Sequence, residues 1–486
     1  MKSMRHAAHW INGEWRTIGT KGNSVDPATG EVIGTYCDGG LLVAQDAVCA
    51  ARRTFLESDW RLDAMRRARV LGHLADAYDA RANDLVDCLS QENGKLKAEA
   101  GFEVAQISRA LRFAAGLALH TFGRVSEPRP GMQGLVLRQA IGVAGIIVPW
   151  NSPAFLLIRA LAPALAAGCT AVAKLPSQSA QAAHLSSEIL ASVSELPKGA
   201  VNVFVESGSD GARFLVETPD VPAISFTGSS ATGRTIAVAG AANFKRIGLE
   251  LGGKTPHIVF NDANLDAALP TIVASSTVFA GQFCVTGSRI LVQREVARTV
   301  KDRLSRMLAD VKPGPASDPT SEIGPMIDRS AVERVDAMVA AALAAGAKAL
   351  VRGGPVTTAQ LAQGAFYRPT LLEVTDSKLP IVREEIFGPV QTLQVFDSEV
   401  EAIELANDSS YGLSACIWSQ DVDRPMRVAR MLEAGHVCIN TWANMQVEFE
   451  EGGVKHSGRG RLGGLACLED FTEYKQVVQI YRQQQT

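Results

Sequence analysis

The sequence shows little imbalance of charge and little repetition. Its 486 residues contain 48 lysines and arginines against 51 aspartates and glutamates, which gives a net charge of -3 without a long run of one sign. This balance gives no reason to expect nucleic acid or a membrane surface as a partner. The chain also has no low-complexity linker and no internal repeat of about 20 to 50 residues, so domain borders have to be inferred from motifs.

The eight cysteines form no metal-binding or disulfide pattern. They stand at positions 37, 49, 88, 169, 284, 416, 438 and 467, with no CxxC pair among them. A chain of this length does not need disulfide bonds to stabilise its core. We therefore expect reduced thiols, no bound metal and a cytoplasmic location.

We expect neither a targeting segment nor a membrane span. The N-terminal MKSMRHAAHWINGEW lacks the apolar core of a secretory signal. The longest uncharged apolar stretch, residues 140–158, is interrupted by Pro149, Asn151, Ser152 and Pro153. Because these residues would break a membrane helix, the stretch predicts a buried strand that leads into a loop and a helix.

What the chain does contain is typical of a globular protein with more than one domain. Hydrophobic residues make up 47% and charged residues 20%, and the length exceeds the roughly 250 to 300 residues at which a single core stops growing. Apolar residues at helical spacing predict helices over 63–89 and 329–349, the second one ended by Gly346. Another helix is predicted within 176–196.

Short β-branched runs alternate with helical segments in two series. The first series covers 142–148, 170–175, 201–205, 223–228 and 257–260, and the second covers 289–292, 370–374, 391–396 and 414–418. Apolar strands separated by helices favour a parallel, doubly wound α/β sheet, and two such units fit the length. Two strand-like segments, 134–139 and 475–482, lie outside both series and could pair with each other or with another subunit.

Two glycine-containing segments are candidates for binding phosphate. Gly458, Gly460 and Gly463 form the only GxGxxG, but it follows FEEGGVKHS rather than a strand and fits a flexible loop better than a dinucleotide site. Gly228 and Gly233 lie where an apolar strand runs into a helix, so free N–H groups and the helix dipole would face an anion. Such residues are equally common as simple helix caps.

Three residues with reactive or polar side chains stand in apolar surroundings, and each also has an ordinary structural explanation. Cys284 precedes a predicted strand, where an inert core cysteine is common. Glu250 is costly to bury unless it is paired or functional, but it could face solvent from an edge strand. Asn151, held between two prolines, could cap the following helix. None of the three decides a function alone.

Taken together, the motifs resemble those of the aldehyde dehydrogenase superfamily. Five motifs occur in the same order as in the family: PWNSP (149–153), FTGS (226–229), ELGGK (250–254), GQFC (281–284) and EEIFGPV (384–390). The separation of 34 residues between Glu250 and Cys284 is also typical of the family. The resemblance implies a Rossmann-type cofactor domain, an α/β catalytic domain and a small β oligomerisation element, assembled as a homodimer or homotetramer. The implied ranges are 1–118 and 140–252 for the cofactor domain, 253–452 for the catalytic domain, and 119–139 and 468–486 for the oligomerisation element.

The resemblance also implies an oxidoreductase that converts an aldehyde to a carboxylic acid with NAD or NADP. Cys284 would attack the carbonyl, Asn151 and the Cys284 N–H would bind the oxyanion, and Glu250 would activate the water that cleaves the thioester. A carboxylate in a closed apolar channel should have a raised pKa, which suits that role. The implied cofactor residues are Trp150, Lys174, Ser177, Gly228, Ser229, Glu385 and Phe387. The implied substrate residues are Arg159, Phe283 and Trp442, although the two aromatic ones could be plain core.

Two places depart from the family pattern, and a third, at Arg159, is a channel position that varies within the family. Ser177 stands where an acidic residue is common, and its neutrality removes a repulsion of the 2′-phosphate of NADP. Arg159 stands at a channel position where a buried guanidinium would favour a semialdehyde that bears a carboxylate, the alternative being a surface arginine. Leu462 replaces a glutamate that usually lies behind the catalytic cysteine, and EEGG replaces the usual PFGG, which brings proton relay and the rate of deacylation into question.

Two other functions are compatible with parts of the sequence. A thiol hydrolase or acyltransferase would also use Cys284, but it needs a histidine base, and none of the eight histidines lies in a motif for that role. A non-catalytic binding protein on the same fold would be expected to have lost Cys284 or Glu250. The expected partner is a small-molecule aldehyde, and Glu250 favours water over coenzyme A as the acyl acceptor.

Overall fold

Two large sheets organise the computed structural model, which describes residues 5–120, 123–358 and 360–481. The strands of the first sheet are, in spatial order, Gly458–Arg459, Arg246–Glu250, Ala223–Thr227, Val143–Ile147, Thr170–Pro176, Val201–Glu206, His9–Ile11 and Glu14–Arg16. The strands of the second are Lys348–Val351, Thr370–Glu373, Val390–Phe396, Arg289–Gln293, Pro256–Val259, Ser414–Trp418 and His436–Ile439. The predicted α/β fold with two units is confirmed.

The central strands of both sheets are parallel and buried, as their continuous apolar sequences predict. In the first sheet, Arg246–Glu250, Ala223–Thr227, Val143–Ile147, Thr170–Pro176 and Val201–Glu206 run parallel. One edge is closed by Gly458–Arg459, which pairs antiparallel with Leu249 and Glu250. The GxGxxG segment therefore begins on a short strand beside Glu250, which the sequence did not predict.

Helices cover the faces of these sheets. They span Leu41–Glu57, Ala64–Ala80, Ala82–Glu92, Lys97–Ala118, Pro153–Ala167, Ala180–Ser192, Asp210–Glu217, Ser230–Ala241, Leu265–Thr277, Arg294–Asp310, Arg329–Ala344, Pro380–Arg383, Glu399–Asn407 and Arg424–Ala429. Shorter 3₁₀ turns span Ser177–Ser179, Val278–Gly281 and Ala466–Phe471. Among the described residues, no helix combines the length and apolar character needed to cross a membrane.

The single helix predicted over 63–89 is wrong, because the chain makes two helices there. Arg81 interrupts them with φ -110° and ψ 15°, outside the helical region, and also forms an ion pair with Asp84 in the first turn of the second helix. Apolar spacing continues across such a break and does not reveal it. The helix predicted over 329–349 ends at Ala344, and Gly346 follows with φ 98°, as a helix terminator requires.

The two strand-like segments outside the large sheets pair with each other. Thr472–Ile480 runs antiparallel to Met132–Ala140, which also pairs with Arg124–Arg129. Three further small sheets occur in the described part of the chain. One joins Arg5–Ala7, Val32–Asp38 and Thr20–Val25. The other two join Gly354–Pro355 to Tyr367–Arg368 and Tyr411–Gly412 to Val454–Lys455. The domain borders stay a prediction, and residues 1–4, 121–122, 359 and 482–486 within them lie outside the described residues.

Candidate active site

A cavity of about 430 Å³ lies at the carboxyl ends of the parallel strands of the first sheet. Its lining includes Asn151, Glu250 and Cys284. Residues that follow neighbouring parallel strands meet at one edge of a sheet, and ligands of open α/β sheets bind there. The structure thus brings together the three residues for which the sequence predicts catalytic roles.

The loop that carries Cys284 follows a strained turn. Phe279 and Ala280 both have φ of 53°, a left-handed conformation that side chains with a Cβ disfavour. Gly281 continues this conformation with φ 71°, and a Cβ there would lie only 2.3 Å from backbone atoms of Gly388. The glycine of GQFC is therefore required by the close approach of EEIFGPV, and this packing fixes the backbone ahead of the thiol.

The Cys284 thiol lies in a water-poor environment. Burial raises its pKa to about 12, with Arg159 opposing the shift and the Glu250 and Glu385 carboxyl groups adding to it. The thiol is therefore protonated at rest. A thiolate nucleophile has to be generated when a substrate is bound.

The Asn151 side chain is buried and points to the cysteine loop. Its Nδ2 donates a hydrogen bond to the Gln282 carbonyl at 3.1 Å. The alternative that Asn151 merely caps the helix Pro153–Ala167 is wrong, because the N-cap residue is Ser152. Two N–H groups in the first turn of that helix instead bind Glu103 Oε1, at 3.0 and 3.1 Å.

Glu250 ends a strand of the first sheet and is buried, so the alternative of a solvent-facing edge residue is wrong. Burial raises its pKa to about 8; Arg159 and Arg461 act to lower it, while Glu451 and Asp470 add to the rise. Its Oε1 atom has no hydrogen-bond partner within the described part of the chain. A carboxyl group in this setting is a base that works near neutral pH.

Arg159 is not a surface residue, so that alternative is also wrong. It lines the cavity, and its side chain is 11% exposed. The guanidinium forms an ion pair with Glu451, and its Nη2 lies 3.4 Å from Thr227 Oγ1. The Nε–H group is buried and, among the described residues, unpaired. The guanidinium thus has one donor available for a further acceptor.

Five of the predicted cofactor residues line the same cavity: Trp150, Gly228, Ser229, Glu385 and Phe387. The rings of Trp150 and Phe387 meet edge to face with centroids 5.5 Å apart. Ser229 also caps the helix Ser230–Ala241, since its hydroxyl accepts a hydrogen bond from Thr232 N at 3.2 Å. Capping and anion binding are compatible there, because one side chain leaves other N–H groups of the helix start free.

Glu385 is held by the glycines of ELGGK. Its Oε1 accepts a hydrogen bond from Gly253 N at 3.1 Å, and a Cβ at Gly252 would lie 2.4 Å from Oε2. Burial raises the Glu385 pKa to about 7, although Lys254 and Arg334 act to lower it. This group therefore presents carboxyl oxygens, which are hydrogen-bond acceptors, to the cavity.

Lys174 and Ser177 do not line this cavity. Lys174 lies at the end of its strand, where burial lowers its pKa against the effect of Glu206 and Asp38. Ser177 lines a separate cavity of about 360 Å³. Two carboxylates therefore act on the lysine that the family resemblance assigns to the adenosine ribose, even though residue 177 itself is neutral.

The two predicted channel aromatics differ in position. Phe283 lines the cavity, whereas Trp442 does not. Trp442 packs edge to face on Phe283, with centroids 6.1 Å apart, and its Nε1 donates to the Val285 carbonyl at 2.8 Å. Trp442 thus packs against the cysteine loop without lining the cavity.

The sequence reasoning missed Glu451. This residue lines the cavity, pairs with Arg159 and forms a two-way backbone bridge with Leu462. The one signal that could have revealed it is the replacement of PFGG by EEGG at 450–453. Leu462 itself is buried and brings no charge to the site.

The sequence reasoning also missed a buried ion pair between Lys95 and Glu103, which holds the start of the helix after Asn151. No group of three or more histidine, cysteine, aspartate or glutamate side chains among the described residues is arranged to hold a metal.

A half-buried thiol, a buried carboxyl group and a buried amide share one cavity at the carboxyl ends of a doubly wound sheet, which is the arrangement of an enzyme of the α/β class. The family model described as "Aldehyde dehydrogenase family" matches residues 15–477. The chain is 37% identical over 475 residues to the 2-aminomuconic semialdehyde dehydrogenase of Danio rerio, covering 96% of this chain and 97% of that protein. It is 36% identical over 472 residues to the betaine aldehyde dehydrogenase of Bacillus subtilis (strain 168), with 96% of both chains covered.

Solved structures give the same result. A betaine aldehyde dehydrogenase from Staphylococcus aureus in complex with NAD+ superimposes with a TM-score of 0.95 at 32% identity, covering 100% of this chain and 97% of that one. The chain belongs to the aldehyde dehydrogenase family, and it is an enzyme that oxidises an aldehyde with NAD or NADP. These relatives are dehydrogenases by name, which gives no support to the hydrolase and non-catalytic alternatives.

Proposed function

We propose that Cys284, Glu250 and Asn151 carry out the oxidation through a thioester on Cys284. The observation that supports this proposal is their convergence in one cavity with five residues suited to a dinucleotide. Asn151 and the Cys284 N–H would stabilise the oxyanion that forms when the thiol attacks the aldehyde. Glu250 would then take a proton from the water that hydrolyses the thioester.

The proposed cofactor site is the Glu385 side of the cavity, where NAD or NADP supplies the hydride acceptor. Glu385 would bind the nicotinamide ribose, with Trp150 and Phe387 beside the ring, and Gly228 and Ser229 would face the pyrophosphate. The fit rests on the glycines that leave room for Glu385 and on the helix N-terminus behind Ser229.

Lys174 and Ser177 would contact the adenosine ribose. Because Ser177 is neutral, we propose that NADP is accepted as well as NAD. Asp38 and Glu206 act on Lys174 and oppose a strong preference for the extra phosphate.

For the substrate we propose an aldehyde that carries a carboxylate, a semialdehyde. Arg159 lines the cavity and, within the described part of the chain, its buried Nε–H has no hydrogen-bond partner. A substrate carboxylate would accept a hydrogen bond from this donor. A relative that is 35% identical, from Pseudomonas putida, is named 2-hydroxymuconic semialdehyde dehydrogenase.

The test compares succinic semialdehyde with butanal, which has the same chain length and no carboxylate. Replacement of Arg159 by Leu should raise KM for the semialdehyde by about 10-fold or more, since a hydrogen bond to a charged group contributes about 1.5 to 3 kcal/mol. The KM for butanal should change little. An equal effect on both aldehydes would refute the carboxylate proposal, and a wild-type enzyme that reduces neither cofactor with any aldehyde would refute the catalytic one.

We further propose that the enzyme is a homodimer or homotetramer in the cytoplasm. The sheet of Arg124–Arg129, Met132–Ala140 and Thr472–Ile480 supports the assembly, because it exposes Val125, Tyr474 and Ile480 and has open edges. All eight cysteines are free thiols, as a reducing compartment requires.

A further inference from the structure

The ion pair of Arg159 and Glu451 lies beside the proposed base. The two side chains are 11% and 17% exposed, and both line the cavity that contains Glu250. Among the described residues, the buried Nε–H of Arg159 and the buried Oε1 of Glu250 have no hydrogen-bond partner. Two cations line the cavity: Arg334 donates to the Ile386 and Phe387 carbonyls, and Arg159 is paired with Glu451.

Backbone contacts fix the position of Glu451. Its N–H donates to the Leu462 carbonyl at 2.7 Å, and the Leu462 N–H donates back at 2.9 Å. The next residue, Gly452, has φ 155°, and a Cβ there would lie 2.9 Å from Glu250 Oε1. A glycine is thus needed to let the 451–452 segment approach the Glu250 carboxyl group.

Four charged groups act on Glu250, and they come from two parts of the chain. Arg159 lies on the helix Pro153–Ala167, and Glu451, Arg461 and Asp470 follow in the C-terminal segment. Arg461 donates to the carbonyl groups of Gly453 and Gly460, at 3.2 and 2.6 Å, so it is already engaged. Arg159 is consequently the cation that could turn to Glu250 if Glu451 did not hold it.

We propose that Glu451 is a positioning residue that holds Arg159 away from Glu250 and so keeps Glu250 free to accept a proton from the hydrolytic water. An arginine that paired with Glu250 would stabilise its charged form and make it a weaker base. This inference rests on the proposed role of Glu250. It assigns to Glu451 an effect on deacylation, in addition to any effect on substrate binding through Arg159.

The experiment follows the steady-state rate after the NADH burst with butanal, as a function of pH. Butanal has no carboxylate, so its rate does not depend on the proposed binding of a substrate carboxylate by Arg159. In E451Q, Arg159 is released, and the midpoint of the rise in rate with pH should fall by about 1 to 3 pH units, the range for a carboxyl group beside an arginine. The rate at the plateau should fall roughly 10-fold, a part of the 10²–10⁴ that a positioned base contributes.

Three companion variants extend the comparison of the midpoints. R159Q leaves Glu451 unopposed near Glu250, so its midpoint should move to higher pH. The double variant R159Q/E451Q removes both charges and should return the midpoint close to that of the wild type. E451D keeps the charge and should shift the midpoint less than E451Q.

The matched control is E448Q, three residues earlier in the same segment. Glu448 is exposed and lies 3.6 Å from Arg109 on the surface, so its pH profile should equal that of the wild type. The proposal is overturned if E451Q lowers the plateau without moving the midpoint, or if R159Q moves the midpoint in the same direction as E451Q. Failure of the wild type to reduce either cofactor with any aldehyde would instead refute the proposed function and is distinguishable from both outcomes.

Discussion

Replacement of Asn151 by Ala tests the proposed oxyanion site most directly. The side-chain amide of Asn151 donates a hydrogen bond to the carbonyl of Gln282, which is two residues before Cys284 in the chain. If Asn151 is one of two donors to the oxyanion, its loss should cost about 2.7 to 4 kcal/mol of transition-state stabilisation. At about 1.4 kcal/mol per factor of ten, the rate of the NADH burst should fall roughly 10²- to 10³-fold.

A second effect of the same change has to be separated from the first. The hydrogen bond from Asn151 to Gln282 also holds the cysteine loop, and such a bond contributes about 0.5 to 1.5 kcal/mol to stability. Alkylation of Cys284 by iodoacetamide forms no oxyanion, so its rate reports only whether the loop keeps the thiol in place. We expect the alkylation rate of the Asn151→Ala variant to stay within a few-fold of the wild type.

Two outcomes would contradict this reasoning. A burst rate that falls by less than about 10-fold would mean that Asn151 is not an oxyanion donor, because the loss would be smaller than one such donor provides. A burst rate and an alkylation rate that fall together would mean that Asn151 acts only by supporting the loop. The unfolding temperature of the variant, measured beside both rates, shows that the comparison concerns folded protein.

Two other predictions concern the base and the cofactor. Glu250→Gln should retain the NADH burst and lose the steady-state rate by roughly 10²–10⁴. Since burial raises the Glu250 pKa to about 8, the base form is present above that pH and lost below it, so the wild-type steady-state rate should rise through about pH 8; a profile unchanged in Glu250→Gln would contradict the assignment. Ser177→Glu should lower kcat/KM for NADP at least about fivefold, since like charges about 4 Å apart repel by about 1 to 4 kcal/mol, and should leave NAD nearly unaffected. A wild-type preference for NAD above about a hundredfold would sink the proposal that both cofactors are used.

Much of the fold follows from local sequence, because continuous apolar runs predict buried strands and apolar residues at helical spacing predict helices. The strand predicted at 201–205 is Val201–Glu206, and the one predicted at 391–396 is Val390–Phe396, because buried parallel strands are continuous apolar runs. The break between two helices at Arg81 was not predictable in this way. An apolar stripe can continue across an interruption that only backbone angles reveal.

For the site, the motifs identified residues at strand ends and on the loop of Cys284, and they missed Glu451, which no motif marks. Asn151 and Glu250 each lie at or just after the end of a strand, so their meeting in one cavity follows from parallel topology. Arg159 was placed in the channel only by resemblance, and its partner Glu451 is 292 positions away. No local pattern connects two such residues, and only the folded chain shows that the guanidinium has a counter-ion.

The replacement at Leu462 has a different meaning once Glu451 is known. Taken alone, an apolar residue where a glutamate is usual suggests a site that has lost a charge. In the fold, Leu462 and Glu451 are bonded to each other in both directions through the backbone. The segment opposite Leu462 therefore carries a carboxylate, and that carboxylate pairs with Arg159. A variant without Glu451 would leave the Arg159 guanidinium, whose side chain is 11% exposed, without its counter-ion while Glu250 lines the same cavity.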